Sequence, residues 1–235
     1  MKIGVFDSGI GGLTVLNEFI KIFPNNHYIY YGDNLNVPYG EKNKEEILSL
    51  SLNIIDFMLD KKVDLIIIAC GTISSNVYEL IKAKVNIPVF DIITPTINYL
   101  KKDKKYGLIA TRATVNSDVF NLSNIKSVDC PLLAGLIEDN ENIKIEKILE
   151  EYLSTFKDID YLILGCTHYS LIKNEIKSIL NVEIIDMAKI LIENIDLGNT
   201  GVLKIDLYFT LDTPYLKYNV DRIIGKKYQL NIIKA

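Results

Sequence analysis

The sequence predicts an α/β fold of two pseudo-symmetric halves with parallel-rich sheets. Three observations predict it. Short apolar runs alternate along the chain with segments of helical period, the rhythm of βαβ units. Two segments rhyme, V-D-L-I-I-I-A-C-G-T at 63–72 and I-D-Y-L-I-L-G-C-T-H at 159–168. Each passes from an aspartate through an apolar run to a small residue, a cysteine and a turn, which reads as a buried parallel strand and its C-terminal end. Thr94-Pro95 then breaks the pattern between the halves, because proline disfavours α conformation in the residue before it.

Taken in order, strands are expected at Lys2–Asp7, His27–Gly32, Leu65–Cys70, Val89–Ile92, Tyr106–Thr111, Tyr161–Cys166 and Glu183–Asp186. Between them, Leu13, Leu16, Phe19, Ile20 and Phe23 fall at helix spacing over 13–23, and Ile47, Leu48, Leu52, Ile55, Phe57 and Leu59 do so over 44–59. Further helices are expected over 74–82, 143–156 and 171–180. The first domain is read as 1–93 and the second as 94–206. The tail 207–235, with L-Y-F-T and Y-Q-L-N-I-I, is expected to return to the first. A cleft between two such domains is a common place for a small-molecule site.

Composition narrows the function. The chain has 235 residues, 49% hydrophobic, enough for one large core or two small ones. No apolar stretch approaches the ~20 residues that span a bilayer, so no membrane partner is expected. A pI near 5.3 argues against a nucleic-acid partner, and the cluster at Lys101–Lys105 reads as a solvated loop. The start enters a strand-like run with no signal-peptide pattern. Three widely spaced cysteines make no disulfide framework. A cytoplasmic setting, which keeps thiols reduced, is therefore expected.

Several residues stand where chemistry is done. Residues just past the strands of an open α/β sheet face its ligand crevice, which gives Cys70 and Cys166 equivalent positions. Helices starting after each cysteine would stabilise a thiolate. Two matched thiols suit a racemase, with one base on each face of a planar intermediate. His168, two residues beyond Cys166, could bond to the thiol or to a substrate. Cys130 reads as a small core residue and His27 as a surface residue. At the N-terminus, F-D-S-G-I-G-G-L-T ends a strand, turns and opens a helix. Its glycines either cradle a phosphate or carboxylate at the helix N-terminus or simply make a tight turn. Asp7 could orient a thiol or accept a bond from a substrate ammonium. The loop Val37-Pro38-Tyr39-Gly40 offers backbone amides for a carboxylate or is an ordinary turn. Neither the spacing for zinc nor C-x-x-C is present.

With these motifs on the page, the chain resembles the glutamate racemases of the cofactor-independent amino-acid racemase superfamily. The resemblance rests on D-S-G-I-G-G-L-T-V at 7–15, Y-G-D…V-P-Y-G at 31–40, A-C-G-T at 69–72, A-T-R-A-T-V at 110–115, L-I-E at 136–138 and G-C-T-H-Y at 165–169. It implies two pseudo-symmetric Rossmann-like domains with the active site between them, working without pyridoxal phosphate or metal. It implies Cys70 and Cys166 as the acid/base pair, serving the D- and L-enantiomer respectively. Asp7 would assist Cys70, His168 would assist Cys166, and Glu138 would support that side. Ser8, Tyr39, Gly40, Thr72, Thr111, Thr114 and Thr167 would bind the substrate's amino and carboxylate groups, with Gly71 offering its backbone N–H. Homodimers occur in the family, so a homodimer is among the partners it suggests.

The resemblance has two departures: after His168 the family has Tyr-Pro where this chain has Tyr169-Ser170, which is expected to affect only the turn into the helix, and the other is at position 71. The family pattern at 69–72 is A-C-N-T, whereas this chain has Gly71, which removes a side chain and is expected to leave space. Three functions therefore compete: racemisation of glutamate for peptidoglycan, racemisation of aspartate or another amino acid, and binding of an acidic ligand by an inactive relative.

Overall fold

The computed structural model describes residues 1–198 and 201–233. Its first unit is strand β1 (Lys2–Asp7), helix α1 (Gly12–Ile22) and strand β2 (His27–Gly32). β1 is buried after its first residue, as a continuous apolar run requires of a strand covered on both faces. A 3₁₀ turn at Tyr39–Glu41 leads into α2 (Lys44–Asp60), β3 (Leu65–Ile68), α3 (Gly71–Lys82), β4 (Val89–Asp91) and α4 (Thr94–Tyr99). At the start of α2, the Asn43 side chain accepts the Glu46 N–H while the Glu46 carboxylate accepts the Asn43 N–H, a reciprocal cap that fixes where the helix begins.

The second unit is β5 (Tyr106–Ala110), α5 (Arg112–Asn116), β6 (Ile125–Asp129), α6 (Leu133–Glu138), α7 (Asn142–Leu153) and β7 (Tyr161–Leu164). A 3₁₀ turn at Thr167–Ile172, α8 (Lys173–Ile179) and β8 (Glu183–Ile185) complete it. The chain then passes through α9 (Met187–Glu193), β9 (Lys204–Phe209), α10 (Leu216–Ile224) and β10 (Gln229–Ile232).

Two parallel sheets result. One has the order β10-β9-β2-β1-β3-β4 and the other β6-β5-β7-β8. β9 pairs with β2 from Lys204 onward, so the tail adds two strands to the first sheet. One core cluster lies against sheet one beside α2 and α3, and another against sheet two beside α6 and α7. A third holds Ile3, Val5 and Ile67 of sheet one together with Leu108, Ile163 and Ile185 of sheet two. The two halves thus share apolar interior.

Three expectations need correction. Thr94 is not a helix-breaking position: it opens α4, and Pro95 falls in the first turn, where no intrahelical partner is needed for its missing N–H. The strand β6 was not foreseen, because I-K-S-V-D at this sheet edge is half-exposed and lacks an apolar run. His27 is not simply a surface residue, since its Nε2 lies 2.7 Å from Asp206 Oδ2 across the β2–β9 pair.

Candidate active site

Because every pairing is parallel, the C-terminal ends of β1 and β3 share one sheet edge, and those of β5 and β7 share another. The residues just beyond them line one cavity of about 270 Å³. Cys70 and Cys166 both line it, with Ser8, Tyr39, Gly40, Gly71, Thr72, Thr111, Glu138, Thr167 and His168. Thr114 does not line it. It is fully buried, 3.0 Å from the Thr111 hydroxyl, which in turn lies 2.8 Å from that of Thr72. Thr114, which the family resemblance implies as a substrate-binding residue, is thus connected to the cavity lining only through the Thr111 hydroxyl.

The two thiols have different surroundings. Cys70 is the residue before α3, and its Sγ lies 3.5 Å from the Ser8 hydroxyl. Burial pushes this thiol up to about 12, the nearby Asp7 charge adds to the rise, and the Ser8 and Ile73 contacts offset only part of it. Burial thus opposes the thiolate that the helix end was expected to favour at Cys70. Cys166 lies before the Thr167–Ile172 turn, with its Sγ 3.5 Å from His168 Nδ1. His168 Nε2 lies 2.7 Å from Glu138 Oε1. Burial alone would strip the proton from His168, but Cys166 and Glu138 outweigh it and raise its pKa well above the ordinary value. Burial likewise acts to raise Glu138, and its bond to His168 overcomes that and lowers it.

The glycine-rich segment is the tight strand–helix turn of the second reading, between Asp7 and Gly12, and it carries contacts to the other half as well. The N–H of Ile10 faces a carboxylate, and it is the chain's own Glu138, at 3.4 Å. A Cβ on Gly11 would stand 2.3 Å from Thr167 Oγ1 and 2.4 Å from His168 Nδ1. The turn is a seat for the second half of the chain. Asp7 belongs to the same junction: its two oxygens accept the Gly9 N–H and, across the cleft, the Thr167 hydroxyl. Burial raises its carboxyl despite the opposing His168 charge.

Gly71 also departs from expectation. It leaves no space, because a Cβ there would fall 2.3 Å from the Gly165 carbonyl oxygen. Absence of a side chain lets the two cysteine-bearing turns touch.

Sequence reasoning singled out the loop of Val37 and Pro38 but missed the wall formed by Pro131, Leu132, Ala134 and Gly135. The signal available was Cys130-Pro131 just past β6, a strand not recognised. Among the described residues, neither Lys nor Arg lines the cavity. An anionic substrate group would meet hydroxyls and backbone N–H groups.

A family profile described as Asp/Glu/Hydantoin racemase matches residues 13–195. The glutamate racemase of Aquifex pyrophilus is 39% identical over 100% of this chain and 98% of its own length. Among solved structures, glutamate racemase from Francisella tularensis subsp. tularensis SCHU S4 in complex with D-glutamate is 34% identical with a TM-score of 0.86, covering 99% of this chain and 97% of that one. Glutamate racemase from Thermus thermophilus in complex with Beta-chloro-D-alanine reaches 0.88 at 29% identity, covering 99% and 96%. With two thiols on one cleft and these likenesses along its whole length, the chain belongs to the Asp/Glu/hydantoin racemase family.

Proposed function

We propose that this protein interconverts L- and D-glutamate by proton transfer between Cys70 and Cys166. The observation that carries the reading is the opening of both thiols onto one cavity at matching strand ends. The α-proton of an amino acid is weakly acidic, so a thiolate can remove it only where the developing carbanion is stabilised. The hydroxyls of Ser8, Thr72 and Thr111 and the backbone at Gly40 and Gly71 are preorganised donors for the substrate's carboxylates, while the Thr167 hydroxyl, which donates to Asp7, can accept from its ammonium. Closure of the cleft excludes water and strengthens those bonds.

The two thiols take opposite roles. Burial and the Asp7 charge favour the thiol form of Cys70, and the His168–Glu138 pair sets its charge beside Cys166. Cys166 then takes the proton of the L-enantiomer and Cys70 supplies one to the opposite face. The reverse direction exchanges the roles. Asp7 acts on the Cys70 side, where its charge opposes ionisation of the thiol. The product would supply D-glutamate to peptidoglycan in the cytoplasm, and sedimentation would test the homodimer that the family resemblance suggests.

Incubation in deuterated water tests the reading: the α-proton of each enantiomer should exchange with racemisation. Cys70→Ser and Cys166→Ser should each lower racemisation by ~10³-fold, within the range general acid–base groups contribute. Unchanged turnover in either variant removes that thiol from the mechanism. Gly71, which gives the substrate no side chain, supports a second reading with aspartate as substrate. A panel of single enantiomers followed by polarimetry separates the two.

A further inference from the structure

α10 buries a stripe of Leu216, Asn219, Val220, Ile223 and Ile224. Asn219 is the polar member. It is 1% exposed, and its Oδ1 has no hydrogen-bond partner among the described residues. A buried amide oxygen without a partner is destabilising, and a leucine in the same place would avoid that. What asparagine has and leucine lacks is a donor. Asn219 Nδ2 donates to the main-chain carbonyl of Glu138 at 3.1 Å.

That carbonyl is at a special place. Glu138 is the last residue of α6, where carbonyls have run out of intrahelical N–H partners. Two residues on, Asn140 is left-handed with φ 57°, and its Oδ1 accepts a bond from Arg222 Nη1 at 3.4 Å. α10 therefore holds the end of α6 at two points. From Glu138 the contacts continue to His168 at 2.7 Å and from His168 to Cys166 at 3.5 Å. A connected path runs from a core position of α10 to one of the two thiols.

We propose that Asn219 is a positioning residue for the Cys166 half of the reaction: by holding the Glu138 carbonyl it keeps the Glu138 carboxylate on His168 and the imidazole charged and aimed at Cys166. The proposal rests on the two-thiol reading above. The titratable groups facing His168 are Cys166 on its own turn, Glu138 on α6 and Asp7 at the end of β1. The charged residues of α10, Lys217, Asp221 and Arg222, are exposed. The hydrogen bonds that lead from Asn219 to His168 run through Glu138, whereas the packing of α10 on α1 is the route that V220A controls for.

The chain has only two histidines, so an NMR titration of the imidazoles reads His168 directly, with His27 as internal reference. The comparison is wild type, N219L, E138Q and V220A. In N219L the His168 pKa should fall by roughly one unit, a tenfold change in its proton equilibrium, in the direction of E138Q and by less, with His27 unmoved. The alkaline limb of kcat/KM should move down in pH with it, since the charged imidazole is lost sooner as pH rises. V220A, which loosens α10 without touching Glu138, should lower stability and leave the His168 titration at its wild-type position. An unchanged titration in N219L, or an equal shift in V220A, overturns the proposal. Should N219L fail to fold, N219S, too short to reach the carbonyl, is read the same way. The titration needs no turnover. A shifted His168 in a chain that racemises nothing would sink the functional reading and leave the contact path standing.

Discussion

At Gly71 the missing side chain is a packing requirement. The nearest atom to a Cβ there is the Gly165 backbone oxygen, at 2.3 Å, and a backbone atom cannot swing aside as a side-chain tip can. Gly71→Ala should cost about 1–3 kcal/mol, the usual penalty for overpacking, and force the two cysteine turns apart. Denaturant unfolding with a racemisation assay checks this, and an unchanged midpoint would mean that the turns separate freely. His168 supports a second prediction. Its folded pKa stands above the ordinary 6.5, so its pairing with Glu138 stabilises the fold fully below about pH 6.5 and loses that effect as pH climbs through the raised value. Thermal unfolding from about pH 6 to about pH 9 should show the decline in wild type and a weaker one in Glu138→Gln. The cysteines, His168 and Glu138 were readable as residue types in motifs. Asn219 was not, since nothing local distinguishes it from any polar residue in a helix.

Among the elements, α2 shows how a local pattern fixes structure without tertiary help. Asn43 and Glu46 cap each other across one turn. Asn43→Ala should therefore lower stability by about 1 kcal/mol and leave racemisation unchanged, as thermal unfolding beside an activity assay would show. The long helices α1 and α2 and the apolar strands β1, β2, β3, β5 and β7 were legible because period and burial agree in them. The short α4, α6 and α9 were not, because six or seven residues give few turns for a periodic signal, whereas the equally short α8 lay inside a longer apolar pattern over 171–180. The strand β6 was hidden by its half-exposed edge position. α10 was missed although its stripe is regular, because its neighbourhood reads as the return segment.

At the scale of the molecule, the shared apolar cluster joining Ile3, Val5 and Ile67 to Leu108, Ile163 and Ile185 makes the two halves one cooperative body. The chain has no tryptophan, so single reporters at Phe23→Trp and Tyr152→Trp can follow each half separately in urea. Their transitions should coincide. Distinct midpoints would mean that the halves fold as independent units. The amino-acid order carried the βαβ rhythm, the duplicated strand–cysteine–turn and the acid/base residue types, because periodicity and motif are properties of neighbours along the chain. What only folding in three dimensions decided is contact between distant segments: Glu138 in the N-terminal turn, Gly71 against Gly165, Thr167 on Asp7 and Asn219 beneath Glu138. Those pairings depend on how two sheets dock, and docking geometry leaves no periodic trace in sequence.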